Sequence, residues 1–314
     1  MRLVFIGSSK FGLRCLQLLS ELKCCTVTGV VTAPSEFTIS YRPEGVTNVL
    51  HADVSSFCIH QDIPLETIIS GMNDSGLPEK VRQWKPQAFI VAGWYHMIPK
   101  SWRDMAPAFG LHASLLPDYS GGAPLVWAMI NGETKTGITL FQLDDGVDSG
   151  PIAGQVEEPI YPHDTISSLY KRIEERGLEL LSRHLPEMTT GSLELNPQDE
   201  SNRRVFPQRV PDDGKIDWNL DAGFIERFIR AQTRPYPGAF TILDGERLSI
   251  WAARNTIEVE GWETGMIRKD GEGFFVSAGE HNLKLEEISF CGRNYTSENM
   301  NEILNDGGQQ LGSQ

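Results

Sequence analysis

Three short runs of apolar, β-favouring residues mark the first third of the chain: RLVFIG at 2–7, TVTGVVT at 26–32 and AFIVAG at 88–93. Helix-like stretches separate them. Phe11, Leu13, Leu16, Leu18 and Leu19 offer an apolar helical face behind the first run, a helical segment near Val54–Cys58 follows a polar loop, and LPEKVRQW precedes the third run. PKSWRDM reads as a short helix opened by Pro99. The strand-like FGLH comes next, then a helix from Pro124 to Ile130 that stops at Asn131-Gly132, then TGITLFQL and GPIAGQVEE as strands. Asp164-Thr165 supplies an N-cap to a long helix carrying Ile166, Leu169, Ile173 and Leu180 on one side. Buried strands alternating with helices can satisfy both sheet faces in few ways, and the pattern predicts an α/β, doubly wound, mostly parallel sheet.

At 314 residues the chain has length for two domains. Its composition shifts at TTGSLELNPQDESNRR, which is polar and turn-rich. Beyond lie a helix at about 221–232 and short strand-like runs (GAFTIL, RLSIWAA, GMIRK, GFFVSAG, NLKLEEISF) at close spacing, which predict a small antiparallel β-barrel. We therefore expect an α/β domain over 1–190, a linker over 191–205, a β domain over 206–300 and a disordered tail over 301–314.

Net charge is −14 and no basic run occurs, which argues against a chain that grips phosphate backbones. No apolar run reaches membrane-spanning length, and the apolar start is broken too soon for a signal peptide. The five cysteines are irregularly spaced with no CxxC, so neither a disulfide framework nor a zinc ribbon is indicated, and a reducing cytoplasm is expected.

The chemistry concentrates in two loops. His112 lies in FGLHASLLPDYSGGAP, where a strand emerges at the carboxyl edge of the sheet, the usual ligand edge of open α/β folds. Imidazole changes charge near neutral pH, and the small residues after it let backbone approach a ligand. Asp148 lies in DDGVDSG beside Asp144 and Asp145; for those two a turn role is the simpler reading. Three carboxylates also suggest a divalent metal, but no EF-hand spacing or neighbouring His supports it, so no metal is expected. The turn GSSKFG is neither GxGxxG nor a Walker loop, although the helix start there offers an anion seat. RPYPGAFT stiffens the entry to the second domain, with Arg230 and Arg234 as candidate ligand contacts.

HASLLPDYSGGAP, NGETKTGITL, DDGVDSGPI, PDDGKIDW and RPYPGAFT, in this order across nearly the whole chain, resemble the 10-formyltetrahydrofolate-dependent formyltransferase family. The resemblance implies a Rossmann-like formyl-transfer domain followed by an OB-like barrel. It implies that His112 polarises the formyl carbonyl and moves protons, and that Asp148 orients it and helps deprotonate the attacking amine. It also implies pterin-pocket walls at Trp94, Tyr95, Met97, Ile98, Leu115, Leu143, Asp144, Asp145 and Val147. Acceptor contacts are expected at Ser114, Tyr119, Gly121, Gly122, Ala123 and Arg230. Amine attack creates an oxyanion that needs donors and an ammonium that needs a base, which suits such a site.

Two departures stand out. The family pattern Asn-x-His is Gly110-Leu111-His112 here, and losing one oxyanion donor costs about 2.7–4 kcal/mol in related chemistry. The family's hydrolase branch also lacks that asparagine. A commonly basic position after LLP is Asp118. Acidity then discriminates among acceptors: from Phe206 onward there are 11 Lys/Arg against 18 Asp/Glu, net −7, and Pro34–Val49 holds Arg42 as its only cation beside Glu36 and Glu44. Such surfaces repel a polyanion. PDDGKIDW, IRAQTRPYPGAF and PLVWAMINGETKTG are similar to the branch that formylates nucleotide-linked amino sugars for surface polysaccharides. An amino-sugar N-formyltransferase in the cytoplasm, with no nucleic-acid or membrane partner, is therefore expected. A formyltetrahydrofolate hydrolase, a methionyl-tRNA formyltransferase, a hydroxamate-forming formylase and an impaired folate-binding protein are the alternatives. Monomer and homodimer stay open.

Overall fold

In the computed structural model, which describes residues 1–39, 42–256, 263–271, 273–305 and 308–312, the chain forms two compact units. The first comprises 1–121, 136–159 and 171–206; the second comprises 122–135, 160–170 and 207–314. Both units are built from discontinuous stretches.

The first unit follows the expected alternation. Its elements begin with β1 (Arg2–Ile6), α1 (Lys10–Glu21), β2 (Thr26–Thr32), β3 (Glu36–Ile39), β4 (Arg42–Thr47), α2 (Ser55–His60) and β5 (Leu65–Thr67). α3 (Leu77–Gln83), β6 (Ala88–Val91), α4 (Lys100–Arg103), β7 (Ala108–His112) and β8 (Ser120–Gly121) follow. After α5 (Pro124–Ile130), which belongs to the second unit, come β9 (Lys135–Gln142), β10 (Ile152–Pro159), α6 (Ile166–Thr190) and β11 (Val205–Phe206). The main sheet runs β10-β9-β7-β6-β1-β2-β5. β1 pairs in parallel with β2 and β6, β2 with β5, and β6 with β7, whereas β9 lies antiparallel to β7. The mostly parallel, Rossmann-like architecture is thus present, with Asp148 in the turn between β9 and β10 on its antiparallel side.

Leu3, Val4, Phe5 and Ile6 are wholly buried, as a central strand covered on both faces must be. One face packs Val4, Ile6, Phe89 and Val91 against Val81 and Trp102. Ser9 caps α1 by accepting from the Gly12 N–H at 3.0 Å. A Cβ on Gly93 would fall 1.8 Å from that hydroxyl, and one on Gly12 would fall 2.7 Å from the Ala92 carbonyl. At this helix start the Lys10 N–H is spent on the Leu50 carbonyl at 2.8 Å and the Gly12 N–H on the Ser9 hydroxyl, which leaves the anion seat offered by GSSKFG fewer free donors. At the outer edge Glu158 is 2% exposed and accepts from Arg172 and Arg176 at 2.7 and 2.8 Å, tying β10 to α6. Burial pushes this carboxyl up, and the two guanidiniums outweigh it, holding it below the usual carboxylate range.

Two expectations change. The polar loop expected after the second strand contains the antiparallel hairpin β3–β4, whose Ser40 and Tyr41 lie outside the described residues. The expected linker is not a free connector. Asn196 exchanges two backbone hydrogen bonds with Ile152, at 2.8 and 2.9 Å, and β11 pairs in parallel with β8.

The second unit contains α5, α7 (Ala222–Ala231) and an antiparallel sheet of β12 (Ala239–Leu243), β13 (Glu246–Thr256), β14 (Met266–Asp270), β15 (Gly273–Ala278), β16 (His281–Phe290), β17 (Arg293–Thr296) and β18 (Gln309–Gln310). Strand order is β12-β13-β16-β15-β14-β18, with β17 on β16. The expected disordered tail is corrected among its described residues. Leu304 and Leu311 are buried in the barrel core, β18 pairs with β14, and the Gly312 N–H donates to the Ile242 carbonyl of β12 at 2.9 Å. The residue two positions past the last strand thereby reaches the first, and the barrel is nearly closed. Positions 306, 307, 313 and 314 lie outside the described residues.

Candidate active site

β7 delivers His112 to the carboxyl edge of the sheet, and the turn after β9 brings Asp148 to meet it. Asp148 Oδ2 lies 3.5 Å from His112 Nδ1 and accepts from the Gly121 N–H at 2.8 Å. The other ring nitrogen, Nε2, is 2.8 Å from the Tyr119 carbonyl. A carbonyl only accepts, so that contact places the proton on Nε2. In the neutral ring Nδ1 is then unprotonated, turned toward the carboxylate and able to take a proton. The His112 and Asp148 side chains are 11% and 20% exposed, which shields the pair from bulk water.

Both partners of the imidazole come from left-handed residues, Tyr119 at φ 54° and Asp148 at φ 53°. Each such non-glycine residue costs about 1 kcal/mol or more, so neighbouring contacts must hold it. Gly121 shows how tight the loop is: its φ is +94°, and a Cβ there would fall 2.4 Å from the Phe206 carbonyl. Thr139, directly opposite His112 in register, donates to the Ser114 carbonyl at 2.6 Å and accepts from the Leu116 N–H and Gln155 amide. Nothing in the sequence singled out Thr139 or Gln155, because their role is to satisfy backbone groups of a loop that has no regular structure.

Gly110 and His112 are two apart on β7 and face the same side. The space beyond the Gly110 Cα belongs to hydrocarbon. A Cβ would lie 2.9 Å from Leu143 Cδ2 and 3.2 Å from the Phe141 ring. Gly110→Asn is therefore expected to overpack the site, at about 1–3 kcal/mol, and to lower kcat/KM rather than raise it. Thermal melts and steady-state kinetics of this variant, with and without Leu143→Ala, check it; a faster enzyme from Gly110→Asn alone would contradict it.

The expected pocket walls divide by exposure. Met97 and Val147 are 56% and 46% exposed, unusual for large apolar side chains, while Ile98 is buried. The Trp94 indole N–H and His96 Nε2 are buried without a partner among the described residues. Burial holds the His96 imidazole below its ordinary range, so it stays neutral. Tyr95 donates to Asn48 Oδ1 at 3.2 Å, and its ring and that of His96 pack on Phe37 of the hairpin. Exposed apolar surface beside unspent buried polar atoms fits a flat heterocycle with a polar rim. Leu115 packs over Gly137 of β9, and Leu143 borders the core. Asp144 closes the turn by accepting from Gly146 N–H and Ser149 hydroxyl at 3.0 and 2.7 Å, and the exposed Asp145 pairs with Arg103.

Two expected acceptor contacts are corrected. Ser114 is 1% exposed and donates to the Asp118 carbonyl at 2.7 Å; Tyr119 is 5% exposed and stacks on Phe206 at 4.5 Å. Both build the loop. The Asp118 carboxylate is gripped by Arg204 at 2.6 and 2.5 Å, so a guanidinium does stand at this otherwise acidic position. Gly122, Ala123 and Arg230 belong to the second unit, where the Arg230 guanidinium donates to the Asp164 carbonyl at 2.7 Å. Arg234, likewise of that unit, pairs with Glu287 and lies over the Trp251 ring.

Comparison with known proteins shows the family. Residues 1–185 match the family model described as formyl transferase, and 209–305 match that of the formyl transferase C-terminal domain. A methionyl-tRNA formyltransferase of Geotalea uraniireducens (strain Rf4) is 33% identical over 93% of this chain and 91% of its own length. An N-formyltransferase from Helicobacter canadensis, solved with folinic acid and dTDP-3-aminofucose, superposes with a TM-score of 0.65 at 18% identity, covering 93% of this chain and 99% of that one. HypX from Aquifex aeolicus gives the same TM-score at 16% identity; the match covers 96% of this chain and 49% of the larger protein. The chain belongs to the formyltransferase family, as an enzyme that transfers a formyl group from 10-formyltetrahydrofolate.

Proposed function

We propose that this enzyme N-formylates a primary amine of an amino sugar, carried on a nucleotide, in surface-polysaccharide synthesis in the cytoplasm. The observation that carries the acceptor choice is charge. The chain is −14 overall, its residues from 206 onward are −7, and the 34–49 stretch that includes the hairpin holds one cation against two carboxylates. A tRNA acceptor draws its affinity from clustered Lys/Arg, which this chain lacks. The methionyl-tRNA formyltransferase name of a relative at 33% identity favours a second reading, transfer to initiator tRNA.

The donor, when bound, supplies an electrophilic formyl carbon. His112 Nδ1 accepts the proton that the attacking amine gives up as the new carbon–nitrogen bond forms. Asp148 stands close enough to steady the imidazolium. The same nitrogen then returns the proton to the departing folate nitrogen, so the ring ends as it began.

Rates with a panel of nucleotide-linked amino sugars and with methionylated initiator tRNA, each at 50 and 200 mM salt, test the acceptor. We expect one of the sugars to exceed tRNA in kcat/KM by at least about 100-fold, with little salt dependence. Preference for tRNA with a steep salt slope would overturn the proposal.

A further inference from the structure

The segment that the sequence marks as a linker crosses both catalytic loops. Arg203 donates to the Val147 carbonyl, the Ser120 N–H donates to the Arg204 carbonyl at 3.0 Å, and β11 lies on β8. Gln198 makes the contact nearest the chemistry. Its Nε2 donates to the Asp148 carbonyl at 2.8 Å and to the Gly150 carbonyl at 2.6 Å. Two carbonyls demand two hydrogens, which fixes the orientation of the amide; its Oε1 is buried and has no partner among the described residues. No other neutral side chain of this length supplies two hydrogens from one atom.

We propose that Gln198 is a positioning residue for formyl transfer. Asp148 sits at φ 53°, a conformation the backbone does not hold unaided. Gln198 clamps the carbonyl of that residue and the carbonyl two positions on, while Gly150 is pressed against β9, where a Cβ would meet the Gln142 carbonyl at 1.8 Å. The clamp aims the Asp148 carboxylate at His112 Nδ1 and the Gly121 N–H. Without it the carboxylate drifts, and a displacement of about 1 Å at such a group costs on the order of 100-fold in rate. The proposal rests on Asp148 being the functional partner of His112.

Four proteins test it, each checked for folding by thermal melt: wild type, Gln198→Ala, Gln198→Glu and Asp148→Asn, with the Gln198→Ala/Asp148→Asn double variant as the cycle partner. Gln198→Ala should lower kcat about 10- to 100-fold with donor KM changed less than about threefold. Gln198→Glu should be poorer at neutral pH, where its carboxylate faces two carbonyl oxygens. It should recover as pH falls and the protonated acid regains one donor, a limb absent from the wild-type profile. In the Asp148→Asn background, Gln198→Ala should cost little more, because the group it positions is already gone. A folded Gln198→Ala enzyme with kcat within twofold of wild type, or full additivity in the double variant, overturns the proposal. If Asp148→Asn is itself near normal, the assignment of Asp148 falls instead, and the two failures are told apart.

Discussion

Replacing His112 by asparagine lowers kcat by about 1,000-fold, within the ~10²–10⁴ that one positioned acid–base group contributes. The structure gives the reason. One imidazole nitrogen is committed to the Tyr119 carbonyl, and the other faces Asp148 at 3.5 Å with its lone pair free. An asparagine amide can donate to a carbonyl but takes no proton near neutral pH. Donor KM should change less than about threefold, because the expected pocket walls, Leu115 apart, lie on the loop after β6 and the turn after β9. The melting temperature should hold within a few degrees, since His112 is a partly exposed strand end and not part of the packed core. Steady-state kinetics with both substrates varied, alongside a thermal melt, check the three expectations together. Turnover near wild type would place the base elsewhere.

The Asp148→Asn variant is the second large effect, again about 1,000-fold in kcat. Asparagine is as tolerant of left-handed backbone as aspartate, so the turn at φ 53° survives. The amide oxygen still accepts from the Gly121 N–H, which keeps the two loops together. Only the charge is lost, and with it the stabilisation of the imidazolium formed as the amine is deprotonated. The conservative replacement thus separates electrostatics from architecture. Loss of folding in this variant would show that the carboxylate is structural, and unimpaired turnover would show that it is idle.

Much of the architecture is legible in the residues because its signals are local. The runs at 2–7, 26–32 and 88–93 are too apolar for anything but covered strands, and all three are. Pro124 to Ile130 is helical over the expected bounds. His112 ends β7, and Asp148 is brought to it by the turn between β9, the antiparallel neighbour of β7, and β10. What is not legible depends on backbone groups finding distant partners. The 191–205 stretch reads as linker because it is polar and turn-rich, yet its Gln198 and Arg203 side chains bond loop carbonyls and its Asn196 backbone bonds Ile152 of β10. Gln309–Gln310 has no apolar alternation, and only pairing to β14 makes it a strand. Ser114 and Tyr119 look like ligand contacts until their burial is known. The space beside Gly110 reads as vacant in sequence and is filled by Leu143 and Phe141, residues 31 and more positions away.

The fate of the formyl carbon tests the central claim most directly. The enzyme is incubated with 10-formyltetrahydrofolate carrying a ¹³C formyl group and the preferred nucleotide-linked amino sugar, and the label is followed by NMR and product mass. The label should appear in a new amide on the sugar, in step with tetrahydrofolate release, and both should fall together in the His112 and Asp148 variants. Label accumulating as free formate, with the sugar unchanged, would contradict it.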